Sequence, residues 1–375
     1  MEKICPRTND IQTTYLNSVI SKPNIKVRGN RNQVLDIAKG LLIILVVFGH
    51  SIQYGFGDVY CNTEQFFDNI FFRCIYIFHM PLFMLISGYL FYYTNNKAYW
   101  KIITSRLIAI GIPFVMYFNI IYIVSLYCTP YPSHFYFSHY FLAFKGTMWF
   151  LSSILLNCII VSSVTHFFKN RIKIGYVILW LLFALTFIIP DSYIPALHKY
   201  MYPYFLLGFC FNHYYIKIPR YYWSKWTFLG LTVFTLICSF CYGKTIFIYN
   251  AGFSIYENGV IDYEKLIINL IRFIMGLGSS CWFMRIIFYI KHHIRRLVPF
   301  LIHIGQETLG IYGFQSIIFA TLSAIMSIKG INFQTNIMPF FVCTIVLVLC
   351  EILIRFCDSN RYTRLLFLGK LSTLR

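Results

Sequence analysis

Ten stretches of this chain are apolar over about the 20 residues that a helix needs to cross a bilayer, and nothing else in it limits the fold so severely. They run Val34 to Tyr54, Phe71 to Tyr93, Ile102 to Tyr127, Met148 to Phe168, Ile174 to Ile189, Tyr200 to Tyr215, Trp226 to Tyr242, Leu266 to Phe288, Thr308 to Ile328 and Ile337 to Phe356, the fifth and sixth being the shortest. Hydrophobic residues make up 58% of the chain and charged ones 12%, about half the charged share of a soluble domain. Only helices and closed barrels satisfy their backbone in lipid. The expected fold is therefore all-α, a polytopic integral membrane bundle of about ten transmembrane helices.

Basic residues orient the bundle, because cytoplasmic loops accumulate Lys and Arg. Of the 32 Lys and Arg residues, 24 fall in the two tails and the alternate loops on their side, among them Lys97, Lys101, Arg106 and Arg285. Only Lys145, Lys199, Lys244, Lys265 and Lys329 fall on the other side, together with Asp58, Asp191 and Glu257. Both termini are expected in the cytoplasm. The same pattern accounts for the net charge of +19, which in a soluble chain would suggest nucleic acid. Residues 1–30 read as a basic tail, 31–357 as the membrane domain and 358–375 as a second basic tail. The polar, basic first 30 residues contain no signal peptide, so the first helix is itself the insertion signal. Twelve cysteines lie mostly in apolar segments; Cys238 and Cys241 form the only C-x-x-C pair and lack a second pair or histidine nearby, so no metal site is expected.

Within the first span, "VLDIAKGLLIILVVFGHSI", charge stands where lipid should exclude it. Lys39 and His50 are eleven residues apart, which places them within about 20° around a helix and about 16 Å apart along it. Asp36 falls near the same face, too far from His50 to orient the imidazole but well placed to pair with Lys39 at i, i+3. The second span, "RCIYIFHMPLFMLISGYLF", brings His79 to a comparable depth; its Pro81 frees a backbone carbonyl, and Ser87 with Gly88 admits a close neighbouring helix. Two imidazoles in one membrane layer make a candidate acid/base site.

"LDIAKGLLIILVVFGHS", "FHMPLFMLISGYLF", "SRLIAIGIPF", "MWFLSSILL", "YFLLGF" and "IGQETLGIYGFQ" occur in an order and spacing that resembles acyltransferase family 3, the integral membrane acyltransferases of bacterial surface glycans. The most specific piece is a basic residue, ten intervening residues and a histidine, met here by Lys39 and His50. The resemblance implies a multi-pass protein of the bacterial cytoplasmic membrane that transfers an acyl group, usually acetyl from acetyl-CoA, to a hydroxyl of a sugar or glycan, lipid-linked acceptors included. Lys39, Arg106 and Lys101, with Asp36 beside them, would then meet the phosphates of CoA, and His50 would be the general base on the acceptor hydroxyl. His79 and Arg272 would polarise the carbonyl or hold the sugar. The implied partners are acyl-CoA, the glycan acceptor and membrane lipid, with no nucleic acid and no metal.

Plainer readings compete. His79 can be an interhelical contact, Lys39 can snorkel to the interface, Arg106 can be topological, and Arg272 can pair with Glu307 or Glu351. Trp149 fits an aromatic belt, and His134, His139, His292 and His293 read as loop residues. Two positions depart from the family pattern: Ala109 stands where a second arginine is frequent, and Gln315 where a histidine is common. The rival functions are a transporter or flippase without chemistry, and the same enzyme using succinyl-CoA or another acyl donor.

Overall fold

Several helix starts are set by side chains that accept from otherwise unpaired backbone N–H groups. The computed structural model describes residues 32–55, 64–127, 137–214, 218–257, 259–329 and 337–371. Asn32 Oδ1 accepts from Val34 N and opens α1 (Gln33–Gly55), and Asn69 accepts from Phe71 N and Phe72 N to open α2 (Ile70–Thr94). A continuous span of 29 residues follows, Tyr99–Tyr127, made of α3 (Tyr99–Arg106), a π-helical turn Leu107–Gly111 and α4 (Ile112–Tyr127). Next come α5 (Phe137–Gly146), α6 (Trp149–Phe167), α7 (Ile172–Thr186), α8 (Ala196–His213), α9 (Lys225–Cys241) and the single turn α10 (Ile248–Ala251). A two-stranded antiparallel hairpin, β1 (Tyr256–Glu257) with β2 (Val260–Ile261), precedes α11 (Tyr263–His293), opened by the Asp262 side chain. The chain continues through α12 (Val298–Gln306), α13 (Thr308–Lys329), α14 (Met338–Asp358) and α15 (Arg361–Leu368).

Each of the ten predicted stretches falls on a helix, and seven spans among the described residues are long and apolar enough to cross a membrane. The other three are α7, α8 and α9, of 15, 18 and 17 residues. At 1.5 Å per residue α7 reaches only about 22 Å, short of a hydrocarbon core of about 30 Å. Its neighbour α8 begins at Ala196, four residues before the predicted start, and is buried along nearly its whole length.

Glycine decides how α2 and α8 pack, through a reciprocal close approach. A Cβ on Gly88 would collide with the carbonyl of Phe205, and one on Gly208 with the carbonyl of Leu85. The predicted approach at Gly88 is thus made, and Asn212 Nδ2 donates across it to Tyr89 O at 3.2 Å. The cytoplasm-assigned half of α1 meets α12 in the same way, Gly40 against Leu301 O and Gly305 against Asp36 O. With backbones this close, helices gain dispersion contacts that lipid cannot supply.

Candidate active site

His50 and His79 line one small cavity of about 50 Å³, with Arg272, Trp149 and tyrosines from the neighbouring helices. Walls come from α1, α2, α6, α8, α10, α11 and α13. A larger hollow of about 660 Å³ beside α4 and α6 is lined almost wholly by apolar groups, with His198, Ser152 and Lys145 the exceptions. Convergent titratable groups single out the smaller space.

Each histidine has one ring nitrogen engaged. His50 Nδ1 meets Gln315 Oε1 at 3.0 Å, and Gln315, from α13, is fully buried behind the imidazole. His79 Nδ1 lies 2.7 Å from the carbonyl of Ile75, one turn back on α2. A carbonyl only accepts, so His79 Nδ1 carries the proton and its Nε2 is the acceptor. Beside it Tyr76 donates to Gln53 on α1, at 2.5 Å, and packs its ring edge-on to His79.

Arg272 is buried at 3% exposure, and the backbone holds it rather than the predicted acids. Its Nε donates to Ile246 O at 2.8 Å and its Nη1 to Gly252 O at 3.2 Å and Asn269 Oδ1 at 2.7 Å, while the guanidinium lies over the Tyr200 ring. Its Nη2 is buried with no hydrogen-bond partner among the described residues. Glu307 pairs with Lys370, and Glu351 with Arg355 and His303, which corrects both proposed partners of Arg272. The carbonyls that hold Arg272 belong to a segment on either side of the single turn α10, whose course sequence hydropathy does not reveal. Asp191 fixes that segment by accepting from Phe253 N and Ser254 N while paired with buried Lys199 at 2.8 Å. Gly252, at φ +68°, leaves the room that the carboxylate occupies; a Cβ there would sit 2.7 Å from Asp191 Oδ2.

Trp149 lines this cavity, where the sequence suggested an aromatic belt. It follows Met148, whose φ of 55° is the one left-handed non-glycine among the described residues. Strain of that kind costs on the order of 1–3 kcal/mol and collects at functional sites.

None of the residues expected to meet the donor lines the cavity. Lys39 forms the expected ion pair with Asp36, at 2.9 Å, three turns along α1 from His50. Arg106 Nη2 donates to Thr94 Oγ1 at 2.7 Å and its guanidinium lies over Phe91, with Nε buried and unpartnered among the described residues. Lys101 is exposed. Ala109 lies within the π-helical turn, and its carbonyl abuts Gly369. His139 sits in α5, and His292 and His293 in the last turn of α11, where each binds the carbonyl four residues back; they are helical, not loop residues. His134 and Asp58 lie outside the described residues. No group of three or more His, Cys, Asp or Glu among the described residues could hold a metal ion.

A family model described as an acyltransferase domain matches residues 32–356. The chain belongs to acyltransferase family 3. Nodulation protein NolL of Mesorhizobium japonicum is 29% identical over 343 residues, covering 88% of this chain and 88% of the relative. NolL of Sinorhizobium fredii is 33% identical over 192 residues, covering 48% and 49%. No solved structure matches. The protein is a multi-pass membrane acyltransferase, and the family membership sets aside the transporter alternative that buried charge had raised.

Proposed function

We propose that the protein transfers an acetyl group from acetyl-CoA to a hydroxyl of a cell-surface sugar or glycan in the bacterial cytoplasmic membrane, with ten crossings and both termini in the cytoplasm. The observation that carries this reading is the meeting of His50, His79 and Arg272 in one cavity of a family member. His50 Nε2 takes the proton of the acceptor hydroxyl as its oxygen attacks the thioester carbonyl. The C–S bond then breaks, and the imidazolium returns the proton to the departing thiolate. Arg272, whose Nη2 has no hydrogen-bond partner among the described residues, supplies a donor for the carbonyl oxygen, on which negative charge develops. His79, an acceptor at Nε2, suits a hydroxyl of the sugar better than the carbonyl.

Acetyl is the acyl group proposed because it is the usual one in the family that the sequence resembles. Mass spectrometry of surface glycans from cells with and without the gene tests class and donor together. A difference of one acetyl group is expected; no acyl difference, or one of succinyl, would overturn the assignment.

Lys39 and Arg106 supply positive charge for the phosphates of CoA on the cytoplasmic side. Lys39→Ala is expected to raise KM for acetyl-CoA with little change in kcat, and Lys39→Arg to restore much of the affinity because the charge survives. An unchanged KM with a collapsed kcat would remove Lys39 from the donor site.

Sidedness follows from the charge distribution. Inside-out vesicles should use added acetyl-CoA, and sealed right-side-out vesicles should not. A cysteine placed at Lys97, exposed between α2 and α3, should react with an impermeant reagent from the cytoplasmic side, and one at Asp58 only from outside. Reversed labelling would invert the topology.

A further inference from the structure

We propose that Gln315 is a positioning residue that fixes the tautomer of His50, holding the proton on Nδ1 so that Nε2 meets the acceptor hydroxyl as a base. The proposal rests on His50 being the general base, and it adds what makes the imidazole ready for that role.

The hydrogen bonds around Gln315 orient its amide. Gln315 Nε2 lies 3.0 Å from Ser316 Oγ and 3.3 Å from the carbonyl of Tyr312. Ser316 Oγ already donates to that same carbonyl at 2.8 Å. Turned over, the amide would set its oxygen against the Tyr312 carbonyl, two acceptors face to face, with the serine proton committed elsewhere. Oε1 therefore faces His50, and the 3.0 Å contact is an Nδ1–H donating to an amide oxygen. Gln315 is at zero exposure, so its amide is held by protein groups.

His50 and Gln315 stand 265 positions apart and join α1 to α13. His79, by contrast, takes its orientation from a backbone carbonyl that no side-chain substitution removes. Gln315 is thus the position at which orientation of the base can be changed without touching the base. An amide also differs from the carboxylate of a catalytic triad: it selects the tautomer while adding no negative charge beside the imidazolium.

Protein labelled with ¹⁵N-histidine and purified in detergent tests this directly, the His50 signal being assigned by its loss in His50→Ala. The expected spectrum has Nδ1 protonated and Nε2 bare in the wild type, with the proton redistributed to Nε2 in Gln315→Met. A wild-type Nε2–H tautomer, or no change in Gln315→Met, would overturn the proposal. In membranes supplied with radiolabelled acetyl-CoA, Gln315→Met should lower kcat for glycan labelling at least about tenfold with KM for acetyl-CoA unchanged. Gln315→Glu, which can still accept from Nδ1–H, should recover most of that loss. Equal loss in both variants, or a loss confined to KM, would make Gln315 a packing residue. Should His50→Ala retain turnover, the base assignment fails; the tautomer result then stands or falls by itself.

Discussion

Replacing His50 by alanine is expected to lower acyl transfer by about 10² to 10⁴, the usual worth of a positioned general base. The protein should still accumulate, because the imidazole is half-buried at the cavity wall and, among the described residues, carries one side-chain hydrogen bond, to Gln315. Purified wild type and variant, compared for glycan acetylation at saturating acetyl-CoA, give the ratio. A variant retaining more than about a tenth of wild-type turnover would exclude His50 as base, since such a loss falls short of that range. His79 would then inherit the role, because its Nε2 is an acceptor in the same cavity.

The other large effect is on folding. Gly88→Val would drive a branched side chain into the Phe205 carbonyl, where even a Cβ has no room, and Gly208→Val would do the same at Leu85. Overpacking usually costs about 1–3 kcal/mol, and a collision with backbone on both helices belongs at or above the upper end. The expected result is loss of monodisperse protein on size exclusion and a lower thermal midpoint for either variant. Gly230 in α9 provides the control: nothing lies within 4 Å of its missing Cβ, so Gly230→Ala should be neutral or stabilising by up to about 1 kcal/mol. Equal behaviour of Gly88→Val and Gly230→Ala would mean that the α2–α8 approach is not what holds the bundle.

Local features of the chain foretold local structure well. The apolar stretches became helices, Lys39 found Asp36 three residues away, and the small residue after Ser87 admitted a second helix. What the sequence could not disclose depends on distant pairs. Gln315 stood out only as a departure from a family pattern, because its relation to His50 spans 265 positions. That Arg272 stands inside an apolar span was readable, whereas its partners were not: two of them are the carbonyls of Ile246 and Gly252, on either side of the single turn α10, and hydropathy does not register where backbone leaves a helix. Trp149 was read from its depth alone, and depth does not say which side of a helix faces protein. The shortness of α7 was legible, but its C-terminal end was placed three residues late because apolar residues continue beyond Thr186, past the end of the helix.

The reach of α1 from Lys39 to His50 works as a phase setting as much as a distance. Its two ends are gripped by different partners, α12 at Gly40 and α13 through Gln315, so neither end can rotate without breaking a contact. One residue inserted between them would lengthen the helix by only about 1.5 Å but turn one end against the other by about 100°. The imidazole would swing out of the cavity, or the ammonium away from its present face, although both residues remained. The number of residues between these two grips therefore constrains the site more tightly than the identity of the apolar residues that fill the interval.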